Sequence, residues 1–280
     1  MIRCLLIGQQ KDIQLYSEII AQINYYEEPV YWDIDAPSIT INFDFHSFDA
    51  FFIVSVLPDH SQLLSELIKV KSNIYFVDQP KISIPEFKEL FKLSQEADNL
   101  IFPEIRELNH PLVKDFIETN GGHLLFRYNK DIASKKQIRP ALLNALGFIT
   151  LLSPMQVKKI NINSIETTTE GRPAFKIRLK MFDSSVAYIM LKLENKNEHN
   201  ILLESKNGNF IFNFTENYLE NVHGARFESE DANEHDLIHK SLSSFALCII
   251  MNKKPPFTFY HYSLVHYLLN KFEHILLTSF

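Results

Sequence analysis

The sequence predicts an N-terminal Rossmann-like parallel sheet with helices on both faces, followed by a C-terminal α+β part whose open sheet is largely antiparallel and carries helices. Two observations predict it. Strand and helix patterns alternate through about the first 105 of the 280 residues, which implies right-handed crossovers and a doubly wound sheet. Beyond residue 170, Phe175, Ile177, Leu179 and Met181 alternate with Lys176, Arg178 and Lys180, the period of a strand with one wet face. The domains are expected over residues 1–118 and 119–280.

The elements read in order as follows. Ile2 to Ile7 is a short apolar strand, and the helix beginning near Asp12 places Ile13, Tyr16, Ile20 and Ile23 on one face. Val30 to Ile34 is the second strand, with Asp33 and Asp35 at its end. The continuous apolar run from Ala50 to Val56 suits a strand buried on both faces. A helix then carries Leu63, Leu64, Leu67 and Ile68, and Asn73 to Val77 returns as a strand. Ser83-Ile84-Pro85-Glu86 has the Ser-x-x-Glu spacing of a capping box ahead of Phe87, Leu90 and Phe91, and Asn99 to Phe102 closes this half.

In the second half Val186 to Leu193, Asn200 to Glu204 and Phe210 to Phe214 follow as strands. Asn207-Gly208 is a hairpin signal, since both residues tolerate positive φ. Two helices end the chain, one bearing Leu237, Ile238, Leu242, Phe245 and Ile249, the other running from about Ser263 to Leu277, with Lys253-Lys254-Pro255-Pro256 between them.

A composition of 46% hydrophobic and 22% charged residues belongs to a globular protein with a sizeable core. A net charge of -6 argues against nucleic acid, because phosphate contacts need a concentrated basic surface, and Lys158-Lys159 and Lys253-Lys254 are isolated pairs that read as solvated. Cys4 and Cys248 lie in apolar stretches, which suits reduced thiols. No apolar run approaches the ~20 residues that span a bilayer, and the N-terminus has no signal-peptide core, so a cytoplasmic protein without a membrane partner is expected.

Gly8 is the only glycine in the first 120 residues and sits where the first strand turns into its helix. In a nucleotide-binding domain that turn needs glycines, because a residue without Cβ lets the backbone approach a pyrophosphate. Gly8-Gln9-Gln10-Lys11-Asp12-Ile13 keeps the first position of G-x-G-x-x-G and places Gln10 and Ile13 at the other two. Gly8 and Gln10 are thus candidate cofactor contacts, and Asp33 is a candidate acceptor for an adenosine ribose.

The run Asp49-Ala50-Phe51-Phe52-Ile53-Val54-Ser55-Val56-Leu57-Pro58, a helix, then Ile74-Tyr75-Phe76-Val77-Asp78-Gln79-Pro80 resembles the Asp-Ala-Val, strand, Pro, helix, strand and Glu-Lys-Pro passage of the glucose-fructose oxidoreductase, inositol dehydrogenase and MocA (Gfo/Idh/MocA) family. The Lys-Pro-Pro break before the last helix is similar as well. The resemblance implies an NAD or NADP site that includes Pro58 and Pro80, and a catalytic lysine at the position of Gln79, with Asp78 replacing the glutamate. A carboxamide does not titrate in the useful range, so at this position Gln79 can orient a substrate but cannot act as its acid or base.

The family's Asp-x-x-x-His pattern aligns with Asn144 and Phe148, and residues 138–154 contain no His, Asp or Glu. The expected reading is a degenerate member that has lost hydride transfer and acts by binding a small-molecule ligand or a partner. The alternative is an active NAD(P)-dependent oxidoreductase on a sugar or polyol, with a proton relay through water, Asp78 or His60. The resemblance also implies self-association into a dimer through the C-terminal sheet, across Phe175 to Leu193.

Other constellations read more plainly. His235 and His239 lie four apart on a helix but lack the HExxH glutamate and a third ligand, so no metal site is expected. Ser55 and His60 have no acidic orienter for a hydrolase triad. The aromatic run Phe257 to Tyr262 reads as core or interface.

Overall fold

The computed structural model describes residues 1–35, 44–55, 60–77, 82–110, 113, 125–134, 137–152, 157–166, 173–193, 198–205, 208–221, 226–228 and 233–278. They form two compact units, one of Met1–Arg106 with Asn233–Ser263, the other of Glu107–Ala232 with Leu264–Phe280.

The first unit is a five-stranded sheet of β1 (Cys4–Gly8), β2 (Val30–Asp33), β3 (Ala50–Ile53), β4 (Asn73–Phe76) and β5 (Ile101–Pro103) in the order β2-β1-β3-β4-β5. Every neighbouring pair is parallel. The crossovers carry α1 (Gln10–Ile20), α2 (His60–Lys69) and α3 (Ile84–Ala97). All residues of β1 and β3 are buried, as the apolar run in the sequence requires of central strands.

α1 buries Ile13, Tyr16, Ile19 and Ile20 along one face. The capping box of α3 is present in full, with Ser83 accepting from the Glu86 backbone N–H and the Glu86 carboxylate accepting from the Ser83 N–H.

The returning segment carries α5 (Glu234–Met251), which follows α4 (Ile138–Leu152) in the chain. A domain boundary at 118/119 places this helix with the C-terminal half, whereas its apolar face packs in the core of the N-terminal sheet. Ile238, Leu242, Phe245 and Ala246 join Cys4, Leu6, Tyr16, Phe52 and Tyr75 in one buried cluster. The Phe245 ring lies 5.5 Å from Phe52 and 5.6 Å from Phe102, both edge to face. Two hydroxyls pin the helix: Tyr26 donates to the Leu242 carbonyl at 2.7 Å and Tyr75 to Ser241 Oγ at 2.8 Å. Buried without those acceptors, each phenol would carry an unpaired polar group at a cost of roughly 1–3 kcal/mol.

Neither cysteine is in a disulfide. Burial, with Glu27 and Asp49 adding to it, pushes the Cys4 thiol up to about 12.

Among the described residues the second unit holds eight strands: β6 (Leu125–Asp131), β7 (Val157–Glu166), β8 (Pro173–Met181), β9 (Val186–Lys192), β10 (His199–Ser205), β11 (Gly208–Asn213), β12 (Tyr218–Asn221) and β13 (Arg226–Glu228). Their order is β13-β12-β11-β10-β6-β9-β8-β7. Neighbours are antiparallel except β6 and β9, which pair in parallel.

The period-two face lies inward: Phe175, Ile177, Leu179 and Met181 are buried, as are Phe126, Tyr128, Ile201 and Leu203. On the opposite face Lys176 and Arg178 sit over the Tyr188 ring at 5.5 and 5.8 Å. The β10–β11 ladder closes on Ser205 opposite Gly208, so Gly208, with φ +134°, begins the strand instead of lying inside the turn. Asn207, the other half of the hairpin signal, is outside the described residues.

α4 (Ile138–Leu152) packs on β6 and β9, and α6 (Phe259–Thr278) ends the chain. Among the described residues no helix is long and apolar enough to cross a membrane.

Phe245 is fully buried among three aromatic rings, so Phe245→Ala is expected to cost about 3–5 kcal/mol. Urea denaturation checks this, and a loss below about 1 kcal/mol would contradict the placement of α5 in this core.

Candidate functional site

In a sheet of order 2-1-3-4-5 the strand order reverses between β1 and β3, and the crevice outside the carboxyl ends of those strands is where open α/β sheets bind ligands. Gly8 ends β1 there and Ser55 follows β3. A Cβ on Gly8 would come within 2.7 Å of Val54 Cγ2 and 2.8 Å of Ser55 Oγ, so the chain's own packing requires glycine at this turn.

Ser55 then closes the loop between β1 and α1. Its Oγ accepts from the Gln9 backbone N–H at 2.9 Å and donates to the Asp12 carboxylate. Asp12 lies in the first turn of α1, whose N-cap Gln9 makes no side-chain cap bond. The electropositive start of α1, the natural seat for a phosphate, therefore already faces a carboxylate supplied by the chain. Gln10, the first residue of the helix, is exposed.

Asp33 stands at the end of β2, opposite Gly8 in the ladder, and is half-buried. Its Oδ1 accepts from the Asp35 N–H at 2.9 Å, an Asx turn that fixes the carboxylate at the rim. Gly8, Asp33 and Ser55 thus come together at one edge of the sheet. Pro58, Asp78, Gln79 and Pro80 lie outside the described residues, as does the side chain of His60.

At the carboxyl end of β5 Glu104 is buried beside Arg106 and Tyr16. Tyr16 donates to its Oε2 at 2.9 Å and Arg106 Nε lies 3.7 Å away, while Arg106 also bonds Glu234. Burial outweighs the guanidinium and raises the Glu104 carboxyl above the ordinary range.

The second unit contains a cluster that no local pattern announces. Glu107, in the 3-10 turn Arg106–Asn109, is buried, and its two oxygens meet four side chains from three elements. Lys130 Nζ and Asn144 Nδ2 each reach Oε1 at 2.7 Å, the Tyr128 hydroxyl reaches Oε2 at 3.1 Å, and His199 Nε2 lies 3.4 Å from Oε2. Burial opposes a charge here, but facing His199 and Lys130 overcome it and hold the carboxyl at about 2.

Asn144, at the aligned position of the family's aspartate, is therefore a donor to a carboxylate brought from another element. Phe148, at the histidine position, is core: its ring lies 6.1 Å from Phe214 and 6.5 Å from Phe126. His199 stacks on Phe214 at 4.5 Å. Sequence reading missed Glu107, Lys130 and His199; the one available signal was the shared strand face of Tyr128 and Lys130, two residues apart on β6.

No protein-family model matches the chain, and no curated protein matches it in sequence. Among solved structures it is similar to UDP-N-acetylglucosamine 3-dehydrogenase GnnA from Acidithiobacillus ferrooxidans, with 12% identity over 96% of each chain and a TM-score of 0.82. It is similar to the dehydrogenase MviM from Clostridium difficile, with 14% identity over 98% of this chain and 99% of that one and a TM-score of 0.76. Biliverdin reductase from Synechocystis, solved with biliverdin and NADP+, matches with 12% identity over 94% of this chain and 95% of that one and a TM-score of 0.68. At these identities the likeness establishes the fold alone, a dehydrogenase and reductase fold that the chain shares over nearly its whole length.

Because the Glu107 carboxyl is depressed in the folded state, the stability it contributes is present above its ordinary value of 4.5 and is lost as pH falls through about 2. Glu107→Gln is expected to lower stability at neutral pH and to flatten the loss across that acid window, measured by denaturation at several pH values. An unchanged acid limb would show that Glu107 is not held charged.

Proposed function

We propose that this protein keeps a dehydrogenase-type fold but has lost hydride-transfer catalysis, and that it acts by binding a small-molecule ligand or a partner protein. The observation that carries this is the Asp12 carboxylate at the start of α1, held by Ser55 in the crevice at the β1/β3 reversal. A pyrophosphate laid on that helix would meet a like charge where a dinucleotide fold offers bare backbone donors, and two negative groups in one helix turn oppose each other.

The residues that the family resemblance assigns to chemistry support the same reading. Gln79 is untitratable where the family has lysine, and the aligned positions 144 and 148 hold Asn and Phe. Gly8, Gln10, Asp33, Pro58 and Pro80 would then line a crevice that no longer grips NAD or NADP, with Asp78 left as a polar group beside Gln79.

A second reading, an active NAD(P)-dependent oxidoreductase on a sugar or polyol, is favoured by one observation. Asp33 is still fixed at the rim of β2, where a ribose acceptor belongs.

The proposed protein is cytoplasmic and pairs with a second copy through the open face of the C-terminal sheet, across Phe175 to Leu193. The alternating Lys176, Arg178 and Tyr188 on its outer face offer cation–π and aromatic contacts of the kind interfaces use.

Calorimetric titration with NAD+ and NADP+ separates the two readings. No binding at millimolar cofactor is expected, together with no gain of oxidoreductase activity in Gln79→Lys, because the phosphate grip and not residue 79 alone is lost. Binding tighter than about 100 μM with hydride transfer to any sugar would overturn the proposal.

A further inference from the structure

A cavity of about 770 Å³ opens in the first unit at the amino ends of β4 and β5, the edge of the sheet opposite the β1/β3 crevice. Its volume is that of a small-molecule site. Its walls come from the last turns of α3 and α5, the start of β5 and the first residues of α6. Aromatic and basic side chains stand among those that line it.

Phe91, Phe259 and Tyr260 form an aromatic wall, with Phe91 centred 6.0 Å from Phe259 and 6.1 Å from Tyr260. Tyr260 stays 51% exposed at the mouth although its neighbours Phe259 and Tyr262 are buried. Facing the same space are Lys253 and Lys254, just past the end of α5.

The charge balance decides what such a space accepts. Helix carboxyl ends ordinarily favour cations. Here both ends are closed by their own chain: Asp98 and Asn252 adopt the left-handed C-cap conformation, and their N–H groups bond the carbonyls of Ser94, Cys248 and Ile249. The Lys253 N–H bonds the Cys248 carbonyl as well.

Among the described residues Asp98 is the one carboxylate lining the cavity against two lysines, and neither lysine has an ion-pair partner. A surplus of positive charge therefore faces the aromatic wall.

We infer that this cavity binds a small organic anion with a planar apolar body, its ring against Phe91, Phe259 and Tyr260 and its anionic group on Lys253 and Lys254. The site lies on the face of the unit away from the dinucleotide crevice and stands whether or not that crevice binds a cofactor. It gives the lysine pair and the aromatic run, which read in the sequence as solvated surface and core, a shared role.

The test uses the full chain, titrated by fluorescence and calorimetry with 8-anilinonaphthalene-1-sulfonate and with its uncharged counterpart N-phenyl-1-naphthylamine. The sulfonate is expected to bind at one saturable site. Combining Lys253→Glu with Lys254→Glu should weaken the sulfonate about tenfold or more and leave the amine unchanged. Tyr260→Ala, at an exposed position that tolerates truncation, should weaken both probes. Sulfonate affinity within about twofold of the parent in the lysine variant, or no saturable binding by the parent, would overturn the inference.

Discussion

The close approach of β1 to the end of β3 at Gly8 is the constraint from which the rest of the first unit's carboxyl edge follows. With no Cβ, Gly8 lets Val54 and Ser55 come within contact distance of the β1 turn, and Ser55 then reaches both the Gln9 backbone and the Asp12 carboxylate. A glycine that elsewhere makes room for a ligand here makes room for a side chain of the same protein. The positive potential at the start of α1 already faces the carboxylate of Asp12, which Ser55 holds in the first turn.

The second unit concentrates its polar cost in one place. Glu107 lies beside Arg106, yet the two side chains point into different structures. Arg106 bonds Glu104, Glu234 and Tyr16 in the first unit, and Glu107 bonds Tyr128, Lys130 and Asn144 in the second. A buried carboxylate is tolerated only when its oxygens are filled, and removing one partner of such a set is far more costly than never having built it. The network gathers a carboxylate, a lysine and an imidazole around α4, a helix whose own sequence carries no acid or histidine.

Much of the fold was legible from local rules. The alternation of apolar strands with helices amphipathic at Ile13, Tyr16 and Ile20, the Ser83–Glu86 capping box and the period-two face of Phe175 to Met181 each report a local physical demand, and each is met in the structure. What was not legible depends on contacts distant in sequence. The apolar face of α5 signals burial but not against which sheet, and Tyr26–Leu242 joins residues 216 apart. β6 was overlooked although Phe126 and Tyr128 alternate with polar residues, because its seven residues carry Arg127, Asn129, Lys130 and Asp131. In the site, Gly8, Gln10 and Asp33 could be named from the strand-turn-helix pattern, whereas Ser55 as the partner of Asp12 could not. Nor could the Glu107 cluster, whose members are spread from 107 to 199.

The central claim is that Asp12 occupies the place of a phosphate. Calorimetric titration with inorganic pyrophosphate of the parent and of Asp12→Asn, which removes the charge and keeps the side chain's size, tests it most directly. The account predicts no measurable binding by the parent and measurable binding by the variant. Equal binding by both proteins would contradict it.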